Sequence, residues 1–215
     1  MRLVFVSAIA ACCLAACVTP PPASPSYPTI ASSGDFRPDR SMMICRGFRA
    51  TNAPPSDARG RLSSYTPYVN YNNRVILALK PVNGGCLSSG FGPRGRSRHE
   101  GIDISAATGT PIYSGAKGVI SEAQWRSGYG YQIVVDHGWG LYTRYAHMND
   151  FAPGIRVGTP VDAGALIGYV GSSGNATGAH LHYEVLTGNI RRGRGSIDLK
   201  ARDPFSLPPY QRSVS

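Results

Sequence analysis

YQIVVDHGWGLYTRYA, residues 131–146, reads as two β-strands joined by a tight turn. YQIVVD (131–136) and LYTRYA (141–146) are rich in β-branched and aromatic residues, and Gly138-Trp139-Gly140 supplies the turn between them. The same grammar continues outward. ALIGYV (165–170) and LHYEVL (181–186) are strand-like, and Gly128-Tyr129-Gly130 and Gly171-Ser172-Ser173-Gly174 are turn signals. No stretch shows a convincing apolar repeat of 3.6 residues. Short strands at this spacing specify an all-β domain, a compact antiparallel sandwich or barrel, over residues 81–207. RVILALK (74–80) reads as the first strand.

GTPIYSGA (109–116) echoes GTPVDAGA (158–165), with five identical positions in eight. The repeat suggests two related hairpins within one fold. Upstream, residues 41–80 carry Pro54-Pro55, several aromatic residues and several asparagines, and read as an irregular segment lying against the domain. Residues 17–40 are rich in Pro and Ser and read as a linker. Some 20 residues at about 3.1 Å each reach roughly 60 Å. Residues 208–215 read as a C-terminal tail.

The N-terminus reads as a processing segment. One arginine precedes LVFVSAIAACCLAA (residues 3–16), which is shorter than the roughly 20 residues a bilayer span needs and suits a signal-peptide core. Leu14-Ala15-Ala16-Cys17 resembles the bacterial lipobox, which implies cleavage after residue 16, acylation of Cys17 and a membrane anchor. Val18 stands where aspartate would signal inner-membrane retention, so the resemblance favours the outer membrane. Cys12 and Cys13 leave with the signal. Cys45 and Cys86 remain as an even pair in an oxidising compartment, which points to a disulfide.

The 215-residue chain has a formal charge of +10. That favours polyanionic partners such as anionic lipid or a carboxylate-rich polymer. Its densest cluster, Arg191, Arg192 and Arg194, sits among glycines and reads as a surface loop. No basic helix or aromatic-interleaved basic stripe is present, so no nucleic-acid partner is expected.

The chemistry rests on five histidines. In a strand, His99 and Asp103 share a face with Gly101 between them, which leaves room above the backbone for an ion. His180 and His182 likewise share a face. Two imidazoles and one carboxylate make a three-ligand set with an open fourth position, the pattern of a catalytic zinc. Spacing alone does not say which histidine of the H-x-H pair is the ligand. His147 is a further candidate beside the site.

Five blocks in order then resemble the lysostaphin and LytM type of zinc endopeptidase. They are Ser89-Gly90-Phe91-Gly92-x-Arg94, His99-x-Gly101-x-Asp103, Gly109-Thr110-Pro111, Tyr145-x-His147 and Gly178-x-His180-Leu181-His182-x-Glu184. The resemblance implies a small antiparallel β fold with a groove over the metal, and a peptidoglycan substrate. It implies His99, Asp103 and His182 as zinc ligands and His147 and His180 as catalytic histidines. Arg94 either supports the site or contacts a substrate carboxylate, and His137 is structural. The D-alanyl-D-alanine peptidases that also end in H-x-H use a glutamate shortly before it, and none lies between Glu122 and Glu184. In a Gram-negative cell the bond expected is D-alanyl to meso-diaminopimelate. A regulatory protein partner that moves residues 41–80 off the groove is an alternative mode of control.

Replacing Cys17 with serine is expected to move the protein from the membrane fraction to the soluble fraction in high salt. Acyl chains add about 0.8 kcal/mol per buried CH₂, whereas salt screens basic contacts beyond about 8–10 Å. A wild-type N-terminus that mass spectrometry finds unmodified, or beginning elsewhere, contradicts the anchor.

Overall fold

The computed structural model describes residues 28–47, 50–190 and 194–211. The signal segment and Cys17, and Arg191 and Arg192 of the basic cluster, lie outside the described residues. Among those described, the architecture is all β, with two single-turn 3₁₀ segments and no α-helix. Strand β1 (Tyr68–Tyr71) pairs with β2 (Val75–Ala78). Ten strands form the main sheet: β3 (Cys86–Ser89), β6 (Ile102–Ser105), β7 (Pro111–Tyr113), β8 (Gly118–Arg126), β9 (Gly130–Asp136), β10 (Leu141–Phe151), β11 (Pro160–Val161), β12 (Leu166–Val170), β13 (His180–Thr187) and β14 (Lys200–Arg202). A small hairpin, β4 (Gly92–Arg94) with β5 (Ser97–His99), stands beside it. Every named strand pair is antiparallel, and the path through the main sheet is β11-β8-β9-β10-β13-β6-β3.

The sheet branches at β10. Residues 141–146 pair with β13, and Met148–Phe151 pair with β12. Between them the register with β9 slips, and His147 sits at φ 58°. A bulge of this kind bends a strand and re-aims one side chain. The core lies inside the fold so made. Leu181, Tyr183 and Val185 of β13, Ile133 and Val135 of β9, and Ile112 and Ile167 opposite them are fully buried. Because strand side chains alternate, the residues between them (His180, His182 and Glu184) face the other way.

Three expectations need correction. The first strand is β1, not residues 74–80; Asn72 and Asn73 at φ 49° and 54° make the hairpin turn, a left-handed pair that asparagine tolerates. The two GTP repeats are not two hairpins. β7 in the first copy pairs with β12, and β11 in the second copy pairs with β8. Each copy thus pairs with the strand that follows the other copy, and they meet where Ser114 N–H donates to the Ala165 carbonyl at 2.8 Å and Gly164 N–H to the Ser114 carbonyl at 2.8 Å. Residues 28–40, read as linker, run over the domain. Ile30 bridges Val161, Phe36 stacks on Tyr113 at 5.1 Å and Asp39 pairs with Lys80. Isolated apolar anchors of this kind carry no periodicity for sequence reading to detect.

Residues 43–45 and Thr51 cover the free edge of β3. Leu87 N–H donates to the Met43 carbonyl at 2.8 Å, Cys45 N–H to the Leu87 carbonyl at 3.0 Å and Gly90 N–H to the Thr51 carbonyl at 2.8 Å. A Cys45–Cys86 disulfide, Cα to Cα 5.0 Å, ties this strap down.

His137 is a tie rather than a reactive group. Its Nδ1–H donates to the Lys117 carbonyl at 2.8 Å, and Nε2 faces the Thr143 hydroxyl at 2.8 Å. Since the carbonyl only accepts, Nδ1 carries the proton and Nε2 is free to accept from threonine. Burial drives the imidazole down to about 4 against the opposing pull of that carbonyl. The unfolded value is about 6.5, so between the two the unfolded chain binds more protons and folding stability falls as pH drops. The stability advantage of wild type over His137→Gln is therefore expected to shrink by up to about 3 kcal/mol between pH 7 and pH 4, measured by denaturant unfolding at each pH. A pH-independent difference contradicts a neutral, buried His137.

Candidate metal centre and catalytic groove

Three side chains meet at the mouth of the β6–β13 pair. His182 and Asp103 are direct cross-strand partners, and His99 ends β5. His99 Nε2 lies 3.0 Å from Asp103 Oδ1 and 3.0 Å from His182 Nδ1, and His182 Nδ1 lies 2.9 Å from Asp103 Oδ1. All three residues are buried.

His99 and Asp103 do not share one strand, as the spacing suggested. Gly101 stands at the bend between β5 and β6. Its missing side chain makes room for β13, not for an ion: a Cβ there would lie 2.5 Å from the Tyr183 carbonyl oxygen and 3.0 Å from His182 Cε1. The glycine lets the two donor-bearing strands approach.

Proton positions show what the cluster needs. His99 Nδ1 donates to the Gly90 carbonyl at 2.7 Å, and His182 Nε2 donates to Glu184 Oε1 at 2.9 Å. With both rings neutral, the form that binds a metal, each has then used its only N–H. The atoms that face one another, His99 Nε2, His182 Nδ1 and Asp103 Oδ1, are three lone pairs within about a hydrogen-bond length. Without a cation between them they repel. Burial opposes charge on His182, yet hydrogen bonds and charge from Asp103 and Glu184 outweigh it and push that imidazole up to about 9. Burial likewise opposes charge on Asp103, but His182 and His99 hold its carboxyl well below the usual range. The pocket thus concentrates affinity for positive charge at one point. Two imidazole nitrogens and one carboxylate oxygen in a compact triangle fit a tetrahedral zinc with one open position.

His147 and His180 stand just outside this triangle with ring centroids 4.7 Å apart. His147 Nδ1 donates to the Ser173 carbonyl at 2.8 Å, and His180 Nδ1 donates to the Gly178 carbonyl at 2.8 Å. Both rings are thereby oriented with Nε2 left to the groove. His180 Nε2 is 3.6 Å from Asp103 Oδ1. Burial pulls His147 down to about 4; the Ser173 carbonyl opposes this, and the adjacent His180 and His182 add to it.

Behind His182 lies a polar network that sequence reading left without a role. Glu184 is fully buried, pairs with Arg144 at 2.7 Å and accepts from the Tyr129 hydroxyl at 2.9 Å. Arg144 also donates to the Ser196 hydroxyl at 2.6 Å and stacks on Tyr129 at 4.3 Å. Burial alone would raise the Glu184 carboxyl; His182 and Arg144 bring it below its ordinary value. A carboxylate on the outer nitrogen of a ligand histidine fixes its tautomer and raises its basicity. The H-x-H-x-E spacing puts Glu184 on the face of His182 and could have flagged it. Nothing in the sequence ties Arg144 or Tyr129 to the site.

Arg94 reaches the centre as a support. Its guanidinium donates to Asp103 Oδ2 at 2.9 Å and to the Ser89 hydroxyl. The cluster opens into a groove of about 740 Å³ whose lining includes Arg94, Arg98, Glu100, Tyr129, Asn175 and Thr177. Thr51 is the residue of segment 41–80 that lines it among the described residues, and that segment gives no side chain to the donor triangle.

Residues 97–194 match peptidase family M23. The chain is 30% identical to the catalytic domain of the prophage-encoded M23 protein EnpA from Enterococcus faecalis, with a TM-score of 0.51 over 59% of this chain and 95% of that one. The chain belongs to peptidase family M23. Its motifs resemble those of the lysostaphin- and LytM-type zinc endopeptidases, and zinc is the cofactor its donor set suits. It is 43% identical over 86 residues to the DD-carboxypeptidase/endopeptidase Mpg of Neisseria meningitidis, covering 40% of this chain and 19% of that protein. It is 29% identical over 163 residues to the peptidoglycan DD-endopeptidase ShyC of Vibrio cholerae, covering 67% and 37%. The chain therefore spans well under half the length of these relatives.

His182→Ala is expected to abolish stoichiometric zinc in elemental analysis, while His180→Ala retains close to one zinc per chain. Equal loss in both variants contradicts the unequal placement of the two histidines.

Proposed function

We propose that the protein is a zinc-dependent peptidoglycan endopeptidase that hydrolyses a cross-link peptide bond, D-alanyl to meso-diaminopimelate in a Gram-negative wall. The observation that carries the reading is the pairing of a three-donor centre having one open position with two histidines whose Nε2 atoms are aimed at the same groove. Zinc held by His99, Asp103 and His182 would supply a Lewis acid for the peptide carbonyl and acidify water to a pKa near 7.

The chain's own residues would do the rest. His147, uncharged at neutral pH because it is buried, offers Nε2 as an acceptor for the proton of the attacking water. His180 lies across the same gap; with its Nδ1–H held by the Gly178 carbonyl, its imidazolium form would donate from Nε2 to the developing oxyanion or the departing amine. Glu184 and Arg94 hold His182 and Asp103 against rotation during turnover. Arg94 and Arg98 make part of the groove lining cationic, which suits stem peptides that carry carboxylates. DD-endopeptidase names among the relatives support the choice of bond. Export and anchoring through Cys17 complete the reading by placing the groove at the wall.

His147→Ala and His180→Ala are expected to lose about 10²–10⁴ in cleavage rate while keeping zinc. The assay is digestion of purified sacculi with product identification by mass spectrometry. Products cut at another bond would overturn the assigned linkage. Intact sacculi after incubation with zinc-loaded wild type would overturn the hydrolase.

A further inference from the structure

The β9–β10 turn, at the end of β10 remote from His147, carries a residue that the fold does not need. Trp139 is 65% exposed and sits at φ 56°, between Gly138 at 77° and Gly140 at 71°. A left-handed conformation suits glycine or asparagine and is strained for a bulky side chain. An exposed indole there adds nothing to either hydrophobic cluster. Backbone strain held at an exposed aromatic side chain is a pointer to function.

Its surroundings form a second groove of about 570 Å³. Ile76 and Val119, 44% and 43% exposed, line it with Trp139. Two cations share the lining. The Arg74 guanidinium lies 4.6 Å from the Trp139 ring centroid, and the exposed Lys117 amine has no carboxylate partner among the described residues. The one acid of the lining, Asp136, accepts from the Gly138 N–H at 2.8 Å and leaves the cations in excess, two to one. An aromatic platform with apolar flanks and an excess of cations fits a ligand that has both flat apolar faces and carboxylates.

We propose that this groove is a secondary binding site for the peptidoglycan polymer, with sugar rings on Trp139 and stem-peptide carboxylates on Arg74 and Lys117. The proposal rests on the peptidoglycan reading above and extends it. β10 fixes the geometry: six residues from Leu141 to His147, at about 3.3 Å each, separate the two sites by roughly 20 Å. A peptide of five residues reaches at most about 18 Å. Short substrates therefore see only the catalytic groove, whereas an intact sacculus spans both sites.

The test compares the full chain with Trp139→Asn and Lys117→Glu. Asparagine suits the left-handed turn, so Trp139→Asn is expected to melt at or above the wild-type temperature. In a His147→Ala background, which spares the polymer, co-sedimentation with sacculi is expected to weaken about tenfold in each variant, as the loss of an aromatic or charged contact implies. Hydrolysis of a soluble cross-link peptide of five residues or fewer, measured without the His147 change, is expected to stay at the wild-type rate. Unchanged co-sedimentation in both variants overturns the proposal. So does an equal loss on the short peptide, which would place the effect at the catalytic groove, or a loss confined to vesicles of anionic lipid, which would make the surface a membrane contact. If wild type cleaves no peptide, the hydrolase reading fails, and co-sedimentation still decides the second site.

Discussion

Three lone pairs pointed at one another set the terms for this molecule. As neutral rings, His99 and His182 each spend their single N–H outward, on the Gly90 carbonyl and on Glu184, so the atoms that converge with Asp103 have no proton to share. The arrangement is unfavourable alone and strongly favourable around a cation. Much of the nearby structure holds it in place. Gly101 lets β13 come close, Arg94 braces Asp103, and the Arg144–Glu184 pair fixes the far side of His182. Breaking a buried ion pair of this kind costs about 3–5 kcal/mol, because one charge is left without a partner. The ligand is thus coupled to the stability of the sheet behind it.

The same sheet sets the donor triangle apart from the two flanking histidines. Alternation along β13 sends Leu181, Tyr183 and Val185 into the core and presents His180 and His182 to the groove. The β10 bulge then adds His147 from the neighbouring strand, at a backbone angle that an unbulged strand does not allow. Two histidines tethered to carbonyls are held ready beside the donor triangle without joining it. At the sheet's other edge residues 43–45 and Thr51, fastened by Cys45–Cys86, cover β3, whose continuation supplies the Gly90 carbonyl that orients His99.

Much of this was legible in the sequence. Strand composition and glycine turns disclosed the all-β class, and the histidine motifs disclosed which residues converge. What stayed hidden has physical causes. β8 was not read as a strand because a register shift between Ile120 and Glu122 breaks its alternation. The exchange of partners between the two GTP repeats is a long-range pairing that local pattern cannot encode. His99 and Asp103 meet through a bend, so strand periodicity gave the right residues for the wrong geometric reason. Arg144 and Tyr129 serve the centre only through Glu184, and no spacing rule links positions so far apart in the chain.

X-ray diffraction at the zinc absorption edge, on crystals of the zinc-loaded protein, tests the account most directly. The account predicts one anomalous peak per chain, about 2.0–2.2 Å from each of His99 Nε2, His182 Nδ1 and an Asp103 carboxylate oxygen, with His147 and His180 outside bonding distance. A peak bonded to His147 or His180 in place of one of those donors, or no peak within the triangle, would contradict it.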